Sequence, residues 1–156
     1  MTTIINYPTN IAEQGLLGSQ AAQLFETWRE NSFCLNHNFL ELLPYLNHFA
    51  NPMDNAGVTD ILMVGDKSYL ASVYGASWTN DSPLKRAQVD PVLMKTVSTD
   101  YEISAQSLAP RLDLLCTPIA LPQGGVEFVH YFRIILPFRL KHGNITLFSY
   151  ASPVHQ

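Results

Sequence analysis

Residues 126–140 are apolar or aromatic at most positions, and the two-residue alternation of a strand sorts them into unlike faces. Val126, Phe128, His130, Phe132, Ile134, Leu136 and Phe138 form one face, apolar except for His130. Glu127, Val129, Tyr131, Arg133, Ile135 and Arg139 form the other, part charged and part apolar. The first face is expected to look toward helices and any cavity. The second is expected to lie outward, partly covered by an N-terminal helix or by a second copy of the chain.

The same patterning continues on either side. A strand over 111–121 and a last strand over 144–151 flank the long one, joined to it by turns at Pro122-Gln123-Gly124-Gly125 and Lys141-His142-Gly143. Upstream, Leu17, Ala21, Leu24, Phe25 and Trp28 recur at helical spacing, which predicts a helix over 19–31. Asn38 and Glu41 have capping-box spacing before a short helix that Pro44 ends. Extended stretches follow at 46–50 and 58–64, then a brief helix at 67–74 with Gly75 as its cap. Residues 76–89, with Ser82-Pro83, read as a loop. Asp90-Pro91 opens a helix that shows Met94, Val97, Tyr101, Ala105 and Leu108 on one side and stops at Pro110. Residues 1–18 read as a flexible lead-in, 19–152 as one domain and 153–156 as a tail. Helices segregated from a run of hairpins predict an α+β fold with a mostly antiparallel sheet.

Composition narrows the function classes. Hydrophobic residues make up 47% of the 156, enough for a core, and charged residues only 14%. The formal net charge is −4 and no run of Lys or Arg occurs, which argues against a nucleic-acid groove. No apolar run approaches the ~20 residues that span a bilayer, and Met1 to Asn10 lacks the signature of a signal peptide. A cytoplasmic protein with two reduced thiols, Cys34 and Cys116, is the expectation.

Several short motifs, in order, resemble a bacterial PAS-like family of small stand-alone proteins. Phe25-Glu26-Thr27-Trp28 resembles its opening aromatic helix, and Leu43-Pro44-Tyr45-Leu46 the approach to its first strand. Ile61-Leu62-Met63-Val64-Gly65 with Tyr74-Gly75 resembles its strand-and-helix signature, and Tyr131-Phe132-Arg133-Ile134-Ile135-Leu136-Pro137 its fourth strand. The resemblance spans about residues 22–152. It departs at Leu62 and Asn80, where the family often has arginine and glycine, so pocket chemistry is not carried over. The resemblance implies a five-stranded antiparallel sheet in the order 2-1-5-4-3, with short helices closing a cavity over one face. It also implies a sensory or partner-binding role.

The chemistry-bearing residues are few. Tyr69, Tyr74, Trp78 and Tyr101 carry aromatic rings with polar tips on the helices expected to wall a cavity, a composition that suits ligand binding and ordinary packing alike. Phe128, His130 and Phe132 would face them from the sheet. His130 reads as a ligand anchor, a haem ligand or a core histidine bonded to a neighbour, and His48 reads similarly. His37, His142 and His155 fall in turns or the tail. No nucleophile elbow, metal-ligand spacing, phosphate loop or flavin-photosensor cysteine motif is present, and no cofactor is named by the sequence.

The favoured expectation is a non-catalytic module that binds a small molecule or a partner, signals through a separate protein and forms a homodimer over the Val129, Tyr131 and Ile135 stripe. The competing one is a cone-fold enzyme of ketosteroid-isomerase type, pairing Asp60 or Asp113 with His130.

Overall fold

Two runs of branched and aromatic residues make the longest hairpin of the fold: β4 (Arg111–Ala120) and β5 (Val126–Arg139), in register from Arg111 opposite Ile135 to Ala120 opposite Val126. The turn between them places Gly124 and Gly125 at φ of 98° and 87°, a region costly for any side chain. In this computed structural model, which describes residues 1–55 and 57–154, four more strands extend the hairpin. They are β1 (Thr3–Tyr7), β2 (Asn47–Phe49), β3 (Ile61–Val64) and β6 (Ile145–Pro153). The result is one antiparallel sheet of six strands in the order β1-β4-β5-β6-β2-β3.

The α+β class is as expected, but the sheet has six strands where five were expected. Residues 3–7 are not a loose lead-in. They form an edge strand on β4, with Thr3 opposite Cys116 and Tyr7 opposite Leu112. The ladder to β4 holds this segment in place, so its own short pattern says little. His155 and the end of the expected tail lie outside the described residues.

The helices are α1 (Asn10–Glu13), α2 (Ser19–Glu30), α3 (Tyr69–Tyr74), α4 (Ala76–Thr79), α5 (Pro83–Val89) and α6 (Pro91–Ser107). The expected loop at 76–89 is thus mostly helical. Ser82 accepts from Lys85 N and Pro83 sits at the first helical position, the same opening that Asp90 and Pro91 give α6. The expected capping box at Asn38 does not form. Asn36 caps instead, accepting from Asn38 N in a 3-10 turn.

Both faces of the sheet are covered. Leu24, Phe25 and Trp28 of α2 pack with Leu112, Ile134, Leu136, Phe138 and Phe148 on one face. Helices α3 to α6 cover the other, over Leu115, Val129, Tyr131, Ile135 and Leu147. Trp28 Nε1 donates to Pro137 O at 2.8 Å, which satisfies the indole inside the first layer. Each such large side chain contributes about 1.5–3 kcal/mol by leaving water.

This corrects the faces of β5. The set containing Tyr131 and Arg133 lies under the helices, and the set containing Phe128, His130 and Phe132 is on the α2 side. The Val129, Tyr131 and Ile135 stripe is therefore covered within one chain, and a homodimer through it has no surface to use.

Gly65 follows β3 where the chain passes against its own neighbour. A Cβ there would sit 2.3 Å from Pro44 O and 2.6 Å from Leu46 O, both backbone atoms. Gly65→Ala is expected to cost about 1–3 kcal/mol by overpacking. Urea unfolding measures it, and an unchanged midpoint would contradict the close approach.

Candidate functional site

The helical layer does not close fully on the sheet. Between them lies a cavity of about 50 Å³, where about 10–15 Å³ suffices for one water. Its walls come from β2, β3, β5, β6 and α3 to α6. Aromatic rings shape it: Tyr74 stacks on Trp78 at 4.2 Å between centroids, and Phe49 on Tyr101 at 4.3 Å. Ile61, Leu70, Met94 and Val97 are among its aliphatic lining residues.

Polar groups enter this lining from both layers. Arg133 stands opposite Asp113 in the β4–β5 ladder and is 3% exposed. Its Nη2 donates to Asp113 Oδ2 at 2.5 Å and Asp100 Oδ2 at 2.8 Å. Arg111 completes the group, with Nε donating to Asp113 and Nη2 3.1 Å from Asp100 Oδ1. Two guanidinium groups and two carboxylates therefore balance in charge beneath α6. The Arg133 guanidinium also lies over the Tyr101 ring, 5.4 Å from its centroid. Burial lowers the Arg133 pKa, but Tyr101, Asp113, Tyr131 and Asp100 outweigh it and hold the group above its ordinary value.

Arg86 is different. It is 5% exposed and reaches the cavity from α5. It donates to the backbone oxygens of Thr79 and Asp81, and to Ile61 O at 2.7 Å, with no ion pair to a carboxylate among the described residues. Burial lowers its pKa, with Asp81 opposing. Arg86 Nε, Arg133 Nε and Nη1, and Trp78 Nε1 are all buried without a partner among the described residues. Buried donors normally find one. Tyr74, Tyr101 and Tyr131 have phenols pushed up by burial, so they remain neutral hydroxyls at neutral pH.

Of the residues singled out from the sequence, Tyr74, Trp78 and Tyr101 line this cavity together. Tyr69 stands just outside, its ring 5.4 Å from that of Tyr131. Phe128, His130 and Phe132 are on the other side of the sheet. Phe128 is 69% exposed, and His130 lies half-buried opposite Cys116. His48 stacks on Phe148 and shares a 2.5 Å hydrogen bond with Thr146 Oγ1. Burial lowers its pKa.

The isomerase-type pairs do not assemble. Asp113 faces the helical layer, opposite to His130, and its carboxylate is held by arginines. Asp60 precedes β3, which β2 and β6 separate from β5, and it accepts from Asn55. Cys34 and Cys116 are free, and no group of His, Cys, Asp and Glu among the described residues could hold a metal. No helix among them is long and apolar enough to cross a membrane.

Arg86 and Arg133 were not among the residues singled out. Arg86 sat in the expected loop. Arg133 carried a usable signal, since it is flanked on its own face by Tyr131 and Ile135, where an exposed arginine would be out of place. Comparison of the chain with protein-family models, with curated proteins and with solved structures returns no match.

Proposed function

We propose that this chain is a non-catalytic, PAS-like ligand-binding module whose site is the cavity between the Tyr131 face of the sheet and helices α3 to α6. The observation that carries the reading is a mainly aromatic cavity whose lining residues Trp78, Arg86 and Arg133 carry buried donors without a partner among the described residues, since an apolar wall with a few polar groups suits a small ligand. Topology adds support. With the edge strand β1 set aside, the sheet runs β3-β2-β6-β5-β4, which is the order 2-1-5-4-3 when those five strands are numbered along the chain. Among the described residues the wall has no histidine or cysteine, and both oxygens of its carboxylate, Asp90, accept backbone hydrogen bonds from Leu93 and Ala120. That favours binding over proton transfer. A bound molecule would touch the sheet and all four helices of this layer together, so occupancy would alter the surface that a separate signalling protein reads.

A thermal-shift screen with toluene, benzamide and benzoate tests the reading. A ligand at a hundred times its Kd stabilises by about 2.7 kcal/mol, or about 5–11 °C for a domain of this size. Ala151 borders the cavity, and Ala151→Leu, which fills it, is expected to abolish the response. No rise with any probe, or an equal rise in Ala151→Leu, would contradict the assignment.

A further inference from the structure

The polar groups of the cavity are unequal in charge. Arg133 is balanced by Asp100 and Asp113, with Arg111 sharing the same carboxylates. Asp90 has committed both oxygens to backbone amides. Among the described residues, Arg86 is left as a buried cation held by carbonyl oxygens, with its Nε without a partner. A buried charge is costly unless paired. Trp78, from the preceding helix, lines the same cavity, and its buried indole N–H has no partner among the described residues and accepts nothing. Every unpartnered polar atom of the arginines and the tryptophan in this wall is a donor, so the missing complement is an acceptor. The rest of the wall is aromatic and aliphatic, and the volume is small.

We infer that the cavity takes a small organic acid, its carboxylate held by Arg86 and its apolar body lying against Tyr74, Trp78 and Tyr101. The inference rests on the reading of the cavity as a ligand site, and deepens it by naming the ligand class. A carboxylate supplies the charge that Arg86 lacks and accepts charge-assisted hydrogen bonds, which are about twice as strong as neutral ones. A neutral amide of the same shape fills the same space without the charge.

Calorimetric titration of the wild-type chain at pH 7 with benzoate against benzamide, and butanoate against butanamide, separates these. Each acid is expected to bind about tenfold or more tightly than its amide, and Arg86→Gln is expected to erase that preference. Amides that bind the wild-type chain as tightly as their acids overturn the inference and leave the cavity reading intact. If neither pair nor toluene binds, both fall. Inorganic phosphate has no apolar body and is expected not to displace benzoate; displacement would overturn the assignment of an organic ligand. The wild-type acid and amide comparison decides the matter even if Arg86→Gln does not fold.

Discussion

Asp113→Ala is expected to lower the free energy of unfolding by about 3–5 kcal/mol, a large part of the roughly 5–15 kcal/mol that holds a domain together. Asp113 is fully buried and accepts from Arg111, from Arg133 and, at 3.2 Å, from Asn6 Nδ2 of β1. Its removal strips the edge strand of one anchor and leaves the buried Arg133 with Asp100 as its sole carboxylate partner. The cost arises from the stranded charge more than from the lost attraction. Replacing both partners, as in Asp113→Leu with Arg133→Met, is therefore expected to cost well under the sum of the two single changes. Urea unfolding of the wild type, both singles and the double gives the cycle. Strict additivity, or a loss below about 1 kcal/mol for Asp113→Ala, would show that these groups do not share a dry environment.

Tyr131→Glu is expected to unfold the chain or to cost it at least about 3 kcal/mol, whereas Phe128→Glu, three residues earlier on the same strand, is expected to stay within about 0.5 kcal/mol of wild type. Tyr131 is buried against Tyr69 on the helical side, where a glutamate would lose both its water and the packing of the ring. Phe128 stands in solvent near the β4–β5 turn on the other side. Circular dichroism melts distinguish the outcomes. A folded, unshifted Tyr131→Glu would restore the opposite assignment of faces and, with it, Tyr131 as a surface for pairing between copies.

That assignment explains how much of the fold was legible in the sequence. The limits of α2, α6 and the β4–β5 hairpin followed from local signals: the helical recurrence of Leu24, Phe25 and Trp28, the Asp90-Pro91 opening and the Gly124-Gly125 turn. Which face of β5 met which helix did not, because both faces are covered and alternation then marks two apolar sets without naming their partners. His130 drew attention as the lone polar residue in its set, yet that set runs out toward the exposed end of the hairpin, where a histidine costs little. Arg133 looked like surface because Asp100 and Asp113, which neutralise it, lie 33 and 20 residues away along the chain. Arg86 was hidden by Ser82-Pro83, which punctuates loops and opens helices with equal ease.

The two tryptophans lie on opposite sides of the sheet, Trp28 with its N–H held by Pro137 O and Trp78 bordering the cavity with a buried N–H. A proton–nitrogen correlation spectrum of the labelled wild-type chain shows one indole signal from each. Titration with millimolar benzoate is expected to shift the Trp78 signal in a saturable manner and leave that of Trp28 in place. A moving Trp28 signal beside a fixed Trp78, or no movement of either, would contradict the cavity as the binding site.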